Sequence, residues 1–411
     1  WNVQSTVFSK GSVLEPITGK KVECSDGKIS YFGCNNMDLH SFLPIDEIGG
    51  ERGVRLNDIW GWTDPETGKE YALVGRIDGT SFVDVTNPSN PVYVGNLPKP
   101  DSSNTSVWRD IKVYKNHAYI VADNAGTHGI QVVDLTKLRD FDGTPLQLET
   151  DAHYGNVHSV HNIVINESTG YAYAVGSSGG GQTCGGGLHM VNIQDPTNPT
   201  FAGCFADPST GRSGTGYTHD AQCVTYHGPD EEYKGQEICI GANETALSIA
   251  DVTDKENPKA LSTASYPDYG YVHQGWLTEN HRYFFSNDEL DELTGNVEQT
   301  RTLVWDVSDL DDPQFVREFK FDNKSSDHNL YIKGDTMYQS NYVSGLQVVD
   351  ISDPENPKKV GYFDTEPFGK DEPGFSGTWS NYPYFESGTI IMTSGREGLF
   401  ILDKSTDTQE M

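Results

Sequence analysis

The chain has 411 residues, 29 Lys and Arg against 60 Asp and Glu, a formal net charge of −31, 35% hydrophobic residues and 43 Gly. That charge repels phosphate backbones and anionic lipid, which argues against a nucleic-acid partner. No window approaches the ~18 consecutive apolar residues of a membrane helix, so no transmembrane segment is expected. Low apolar content with abundant Gly points to many short strands and tight turns rather than a helical bundle.

Residues 1–50 form an N-terminal segment whose KISYFG run (28–33) is strand-like. Beyond it one phrase recurs: a β-rich run ending in Asp or Asn, a turn, and usually Asn-Pro or Asp-Pro. It appears as GTSFVDVTNPSNPVYVG (79–95), GIQVVDL (129–135), GLHMVNIQDPTNPTFAG (187–203), ALSIADVTDKENPKAL (246–261), TLVWDVSDLDDPQFV (302–316), GLQVVDISDPENPKKVG (345–361) and GLFILD (398–403). The anchors Asp84, Asp134, Asn192, Asp251, Asp306, Asp350 and Asp403 recur every 44 to 59 residues. Two further strands precede each anchor run, the first opening at Asn57, Arg109, His161, His219, His273, His328 and Thr378. Four antiparallel strands repeated seven times predict an all-β, seven-bladed β-propeller over 51–404, followed by a polar tail at 405–411. The seventh unit lacks its outer strand. Residues 28–34 resemble the other outer strands and are expected to supply it, closing the ring.

Six cysteines fall as local pairs, Cys24/Cys34, Cys184/Cys204 and Cys223/Cys239, without the CxxC spacing of a zinc or redox site. They are expected to form three structural disulfides, each worth roughly 2–4 kcal/mol, in an oxidising compartment. The start at Trp1 is what a processed, exported chain would show, and the expected location is secreted or cell-surface. Sequons at Asn104, Asn166, Asn243 and Asn323 would carry glycans only in a glycosylating host.

In a propeller the innermost strand starts at one mouth of the central channel, facing the loop between the second and third strands. Aligning the units therefore collects the residues of that mouth. Blades three to six each place a histidine there, His161, His219, His273 and His328, although the chain has only 12 His. With His158 and Glu289 these are the candidate metal ligands, since neutral imidazole suits copper, zinc or iron and carboxylates orient the rings. Asn57, Arg109, Asp123, Asp220, Glu244, Gln274, Asn341 and Arg396 are the candidate ligand-binding residues of the same rim. The competing reading is that these side chains only clasp neighbouring blades.

The DELDE run (288–292) reads either as a calcium-binding loop or as a solvated acidic one. The Asx-Pro turns read as turn chemistry. SSGGGQTCGGG (177–187) lacks the phosphate-loop pattern and is expected to overhang the mouth. No GxSxG elbow or HExxH helix is present, so no catalytic residue is assigned.

The stretches DIWGWTDPETGKEYALVG (58–75), HNIVINESTGYAYAVG (161–176), YTHDAQCVTYHGPD (217–230), HQGWLTENH (273–281), NDELDE (287–292) and SNYVSGLQVVDI (340–351) resemble the choice-of-anchor B proteins, whose LVIVD-type repeat GLQVVDIS closely matches. The resemblance covers residues 20 to 403. It implies a secreted or surface-held propeller, often tethered by a variable C-terminal anchor. The tail KSTDTQEM carries no sorting motif, so a released chain or a lost anchor is expected. Two functions fit: an extracellular propeller binding a small molecule or surface partner at its His-rich, metal-holding mouth, or a metal-dependent, copper-type oxidoreductase using the same centre.

Overall fold

The structure, a computed structural model, describes residues 14–406. The first 13 residues of the N-terminal segment and the last five of the expected tail lie outside the described residues. Seven antiparallel sheets, each built on four strands, follow in chain order. Their innermost strands are Leu56–Thr63, Arg109–Tyr114, Asn162–Asn166, Asp220–Thr225, Val272–Leu277, Leu330–Lys333 and Thr378–Tyr382. Each touches the next, and the seventh touches the first, so the ring closes around a channel.

Alternation along each strand gives two apolar faces, and the cores form where facing blades interlock. Between blades four and five, for example, Ile238, Ile240, Leu247 and Ile249 pack with Leu277, Phe284, Leu303 and Trp305. Burying a residue such as Phe284 or Trp305 contributes about 1.5–3 kcal/mol each. The recurrent Asp and Asn anchors end the third strands as Asx turns. The side-chain oxygens of Asp84, Asp134, Asn192, Asp251, Asp306 and Asp350 each accept the backbone N–H two residues on.

Ring closure departs from expectation in its position. The outer strand of blade seven is Met37–Pro44, running antiparallel to Gly398–Lys404. Residues 28–35 instead form a hairpin, Lys28–Ile29 with Phe32–Asn35, added to the outer edge of blade six through Cys34 and Asn35. The reason lies in length and packing. The eight-residue run registers along the whole of Gly398–Lys404 and buries Met37, Leu39 and Phe42 completely. It also carries a register shift between Leu39 and Ser41. The third and fourth strands of blades one, three, four, five and six shift in the same way, adding the twist a blade edge needs. The hairpin is too short for that register.

All three expected disulfides are formed. Cys223–Cys239 joins directly paired residues of the first two strands of blade four. Cys184–Cys204 ties the glycine-rich loop to the outer strand of blade three. Cys24–Cys34 braces the hairpin rather than the closing strand, which it reaches through the Cys24 N–H on Asp38 Oδ1 at 3.0 Å. Of the four sequons, Asn166 and Asn243 are buried, so the folded chain does not offer them to a glycosylating enzyme.

Phe42 lies 4.6 Å from Phe400 and 5.5 Å from Phe32, centroid to centroid. Phe42→Ala is expected to cost about 3–5 kcal/mol in denaturant unfolding. Tyr31→Ala, at an exposed hairpin residue, should be close to neutral, and equal stability of the two variants would contradict this closure.

Candidate metal centre

Each innermost strand begins with two residues that divide the work. In blades one, two, three, five and six the second turns sideways and clasps the next blade. Asp58 Oδ2 accepts the N–H of Ile111 at 3.1 Å, and Asp110 Oδ2 that of Ile163 at 2.8 Å. Gln274 brackets Leu330, accepting its N–H and donating to its carbonyl. The first residue, being one position earlier on a strand of period two, is displaced towards the mouth. In blades three to six that residue is histidine.

The four rings form a continuous arc. Centroids are 4.2 Å apart for His161 and His219, 4.3 Å for His219 and His273, and 4.4 Å for His273 and His328. Every Nδ1 is engaged. That of His161 donates to Asp123 Oδ2 at 2.7 Å, and that of His219 to the His273 carbonyl at 2.8 Å. The Nδ1 of His273 donates to Asn287 Oδ1 at 2.9 Å, and that of His328 to the Trp379 carbonyl at 2.6 Å. The Asn287 amide is itself oriented by its NH₂, which donates to the His328 carbonyl. These acceptors fix one tautomer and turn each Nε2 away from its clasp.

Glu289 completes the group. Its Oε2 lies 3.7 Å from His273 Nε2 and its Oε1 3.7 Å from His328 Nε2. The Tyr342 hydroxyl donates to Oε1. One donor atom each from His219, His273 and Glu289 falls within 4.8 Å of the others. His273 is fully buried and its Nε2 has no hydrogen-bond partner. Burial, then neighbouring imidazoles, hold His219 well below the ordinary range. Burial holds His273 at about 3, and burial with His273 as neighbour does the same for His328. The three rings are therefore neutral at pH 7, the form that ligates metals.

A cavity of about 830 Å³ opens onto the arc. Among the expected residues, Asp123, His161, His219, Glu289, His328 and Arg396 line it, with His273 directly behind. Others lie elsewhere. His158 sits in the connecting loop, its ring against Gly179, because it lies three residues ahead of the mouth position. Arg109 is buried and donates to His128 Nε2 at 3.1 Å. Asp220 and Gln274 are one residue too far along the strand. Gln274 is a clasp, while Asp220 lies beside Asp110 and Lys112, where burial and Asp110 raise it to about 7. Asn57 turns back to its own strand, its Oδ1 accepting the Asp58 N–H. Asn341 is fully buried, and Glu244 accepts the Arg212 N–H beside the cavity. No residue of the 177–187 loop lines the cavity. The overhang is the connection between blades six and seven, contributing Glu366, Lys370 and Phe375.

The aromatic wall was missed: Trp108, Tyr217, Tyr271, Tyr342 and Trp379. Its signal is the Tyr-x-His spacing of Tyr217–His219 and Tyr271–His273. Gly176, at φ +62°, stands where a Cβ would fall 2.6 Å from that of His161, so the first ring needs glycine beneath it.

Nitrogen NMR of the metal-free protein is expected to show His219, His273 and His328 protonated at Nδ1 and neutral well below pH 6.5. Because these rings would take protons near pH 6.5 once unfolded, their contribution to stability is complete above that pH. It is lost as pH falls below 6.5, down towards 3 for His273 and His328, at up to about 1.4 kcal/mol per pH unit for each ring. Nε2-protonated or charged rings at pH 6 would contradict the arrangement.

The comparisons with known proteins agree on the fold. The LVIVD repeat family model matches residues 69–98, the outer three strands of blade one, and 328–365, the whole of blade six from His328 onward. No curated protein matches the chain. Among solved structures, the β-propeller domain of Cps50 (Swd1) from Myceliophteria thermophila aligns with TM-score 0.55 and 11% identity, over 87% of this chain and 98% of that one. A functionally unknown protein from Desulfotomaculum acetoxidans aligns at 0.51 and 13%, over 84% and 97%. A protein from Lactobacillus plantarum aligns at 0.50 and 13%, over 82% and 88%. With the ring closed, the chain is a seven-bladed β-propeller that matches the LVIVD repeat in blades one and six.

Proposed function

We propose that this propeller is an exported binding protein that holds a transition metal at its channel mouth and presents it to a small ligand in the aromatic-walled cavity. The observation that carries this reading is the common setting of the four imidazoles, each with Nδ1 engaged and Nε2 left over, the last two of them facing Glu289. Nitrogen and carboxylate donors suit zinc, copper or iron. No free cysteine occurs among the described residues, so thiolate chemistry plays no part. His219, His273 and Glu289 would hold the ion, with His328 on the second oxygen of Glu289 and His161 at the open end. The three disulfides and the resemblance to choice-of-anchor B proteins support export, and no helix among the described residues is long and apolar enough to cross a membrane.

A second reading, a metal-dependent oxidoreductase, is favoured by Tyr342. Its hydroxyl donates to Glu289 and its ring centroid lies 4.9 Å from that of His328. A phenol in that position can give up a proton and an electron next to a redox metal such as copper.

Elemental analysis of protein purified without chelators is expected to find near-stoichiometric copper, zinc or iron. The His219→Ala/His273→Ala chain should lose that metal and keep its circular dichroism, whereas His158→Ala should keep both. A metal-free wild type, or metal retained by the double variant, would contradict the proposal. Redox-active metal with turnover lost in Tyr342→Phe would favour the second reading.

A further inference from the structure

The DELDE run is not a solvated loop. Asp288 and Asp291 are fully buried and Glu292 is 6% exposed, although they follow a strand end on the channel side of blade five. Asp288 is fully satisfied: its oxygens accept from the N–H groups of Gly270, Tyr271, Leu290 and Asp291 and from the Tyr266 hydroxyl. That cage folds the loop back and drives the next carboxylates inward, against Asp327 in the connection to blade six.

Asp291, Glu292 and Asp327 each offer an oxygen within 4.8 Å of the other two. Both Glu292 oxygens and Asp327 Oδ1 are buried and accept no hydrogen bond. The surroundings supply little compensation. Arg301 Nε reaches Asp291 Oδ2 at 2.8 Å, while Gln339 Nε2 reaches the other Asp327 oxygen at 3.2 Å. Three carboxylates thus face one arginine, itself shared with Glu318, leaving two formal charges uncompensated at buried positions. Burying even one such charge unpaired costs several kcal/mol. Such a cluster is neutralised either by protons or by a bound cation.

We infer that Asp291, Glu292 and Asp327 form a calcium site. An all-oxygen donor set selects a hard ion, and two uncompensated charges match a divalent one. Two free oxygens on one glutamate suit the bidentate carboxylate that calcium accepts, whereas magnesium demands a tighter octahedron and keeps its waters. The site is separate in donors from the histidine arc. It joins the loop that carries Glu289 to the segment that ends in His328, so the ion would pin two elements of the channel mouth.

The test is calorimetric titration of calcium chloride into chelator-stripped full-length protein at pH 7.5, with Glu292→Gln and Asp327→Asn. One bound ion is expected in the wild type, with affinity at least tenfold weaker in each variant. Calcium should raise the wild-type melting temperature, whereas in chelator Glu292→Gln should melt no lower than wild type, since without the cation Glu292 only crowds the other buried carboxyl groups. No binding, or undiminished binding in both variants, would overturn the site. Anomalous diffraction from terbium-soaked crystals decides the same point without a variant. A peak among the three carboxylates is expected, and a peak only at the more accessible Asp230, Asp309 and Asp311 cluster would overturn it.

Discussion

The mouth of this propeller depends on one repeated hydrogen bond, from an imidazole Nδ1 to an acceptor beside it. Three of those bonds join blades. His161 reaches back to Asp123 in blade two, His219 reaches forward to the backbone of blade five, and His328 to that of blade seven. His273 makes the fourth link through Asn287, whose amide continues to the backbone of blade six. A clasp and a ligand are usually rival readings of a polar residue at a blade junction. Here the two ring nitrogens separate the roles, because the bond that holds the ring together also fixes the tautomer and the direction of the remaining lone pair.

That economy has an electrostatic consequence. Four imidazoles in contact repel as cations, and burial adds to the penalty on charge. His219, His273 and His328 are therefore neutral donors, with Glu289 as the carboxylate facing two of them. In the loop that follows Glu289, the Asp291, Glu292 and Asp327 cluster gathers oxygen donors alone. The fold thus sorts donors by chemistry: borderline nitrogen from the starts of the inner strands, hard oxygen from a loop turned inward by the Asp288 cage. Both sets draw on the same two connections, which couples the order of one to the order of the other.

Much of this was legible in the sequence because repetition does the work of an alignment within one chain. The Asp and Asn anchors that close the third strands are visible as a period, and their role as Asx turns follows from residue type. The same period superimposes His161, His219, His273 and His328. It failed at single-residue resolution: Asp220 and Gln274 adjoin the histidines in sequence, yet the two-residue alternation of a strand sends Gln274 to a clasp and Asp220 down the channel. It also failed at the seam, where KISYFG matches an outer strand in composition and MDLHSFLP, less alike in composition, has the length and buried face to fill the position. The inward folding of DELDE was hidden for another reason. Nothing in an acidic run records that Gly270, Tyr271 and Tyr266, from a distant loop, will satisfy its first aspartate and bury the rest.

The central claim is that imidazole Nε2 atoms of the arc, together with Glu289, hold a metal ion. X-ray absorption spectroscopy at the edge of whichever metal copurifies tests it most directly. The account predicts a first shell of nitrogen and oxygen near 2.0 Å with the outer-shell scattering of at least two imidazoles, and no sulfur. A shell of oxygen alone, or one containing sulfur, would contradict it.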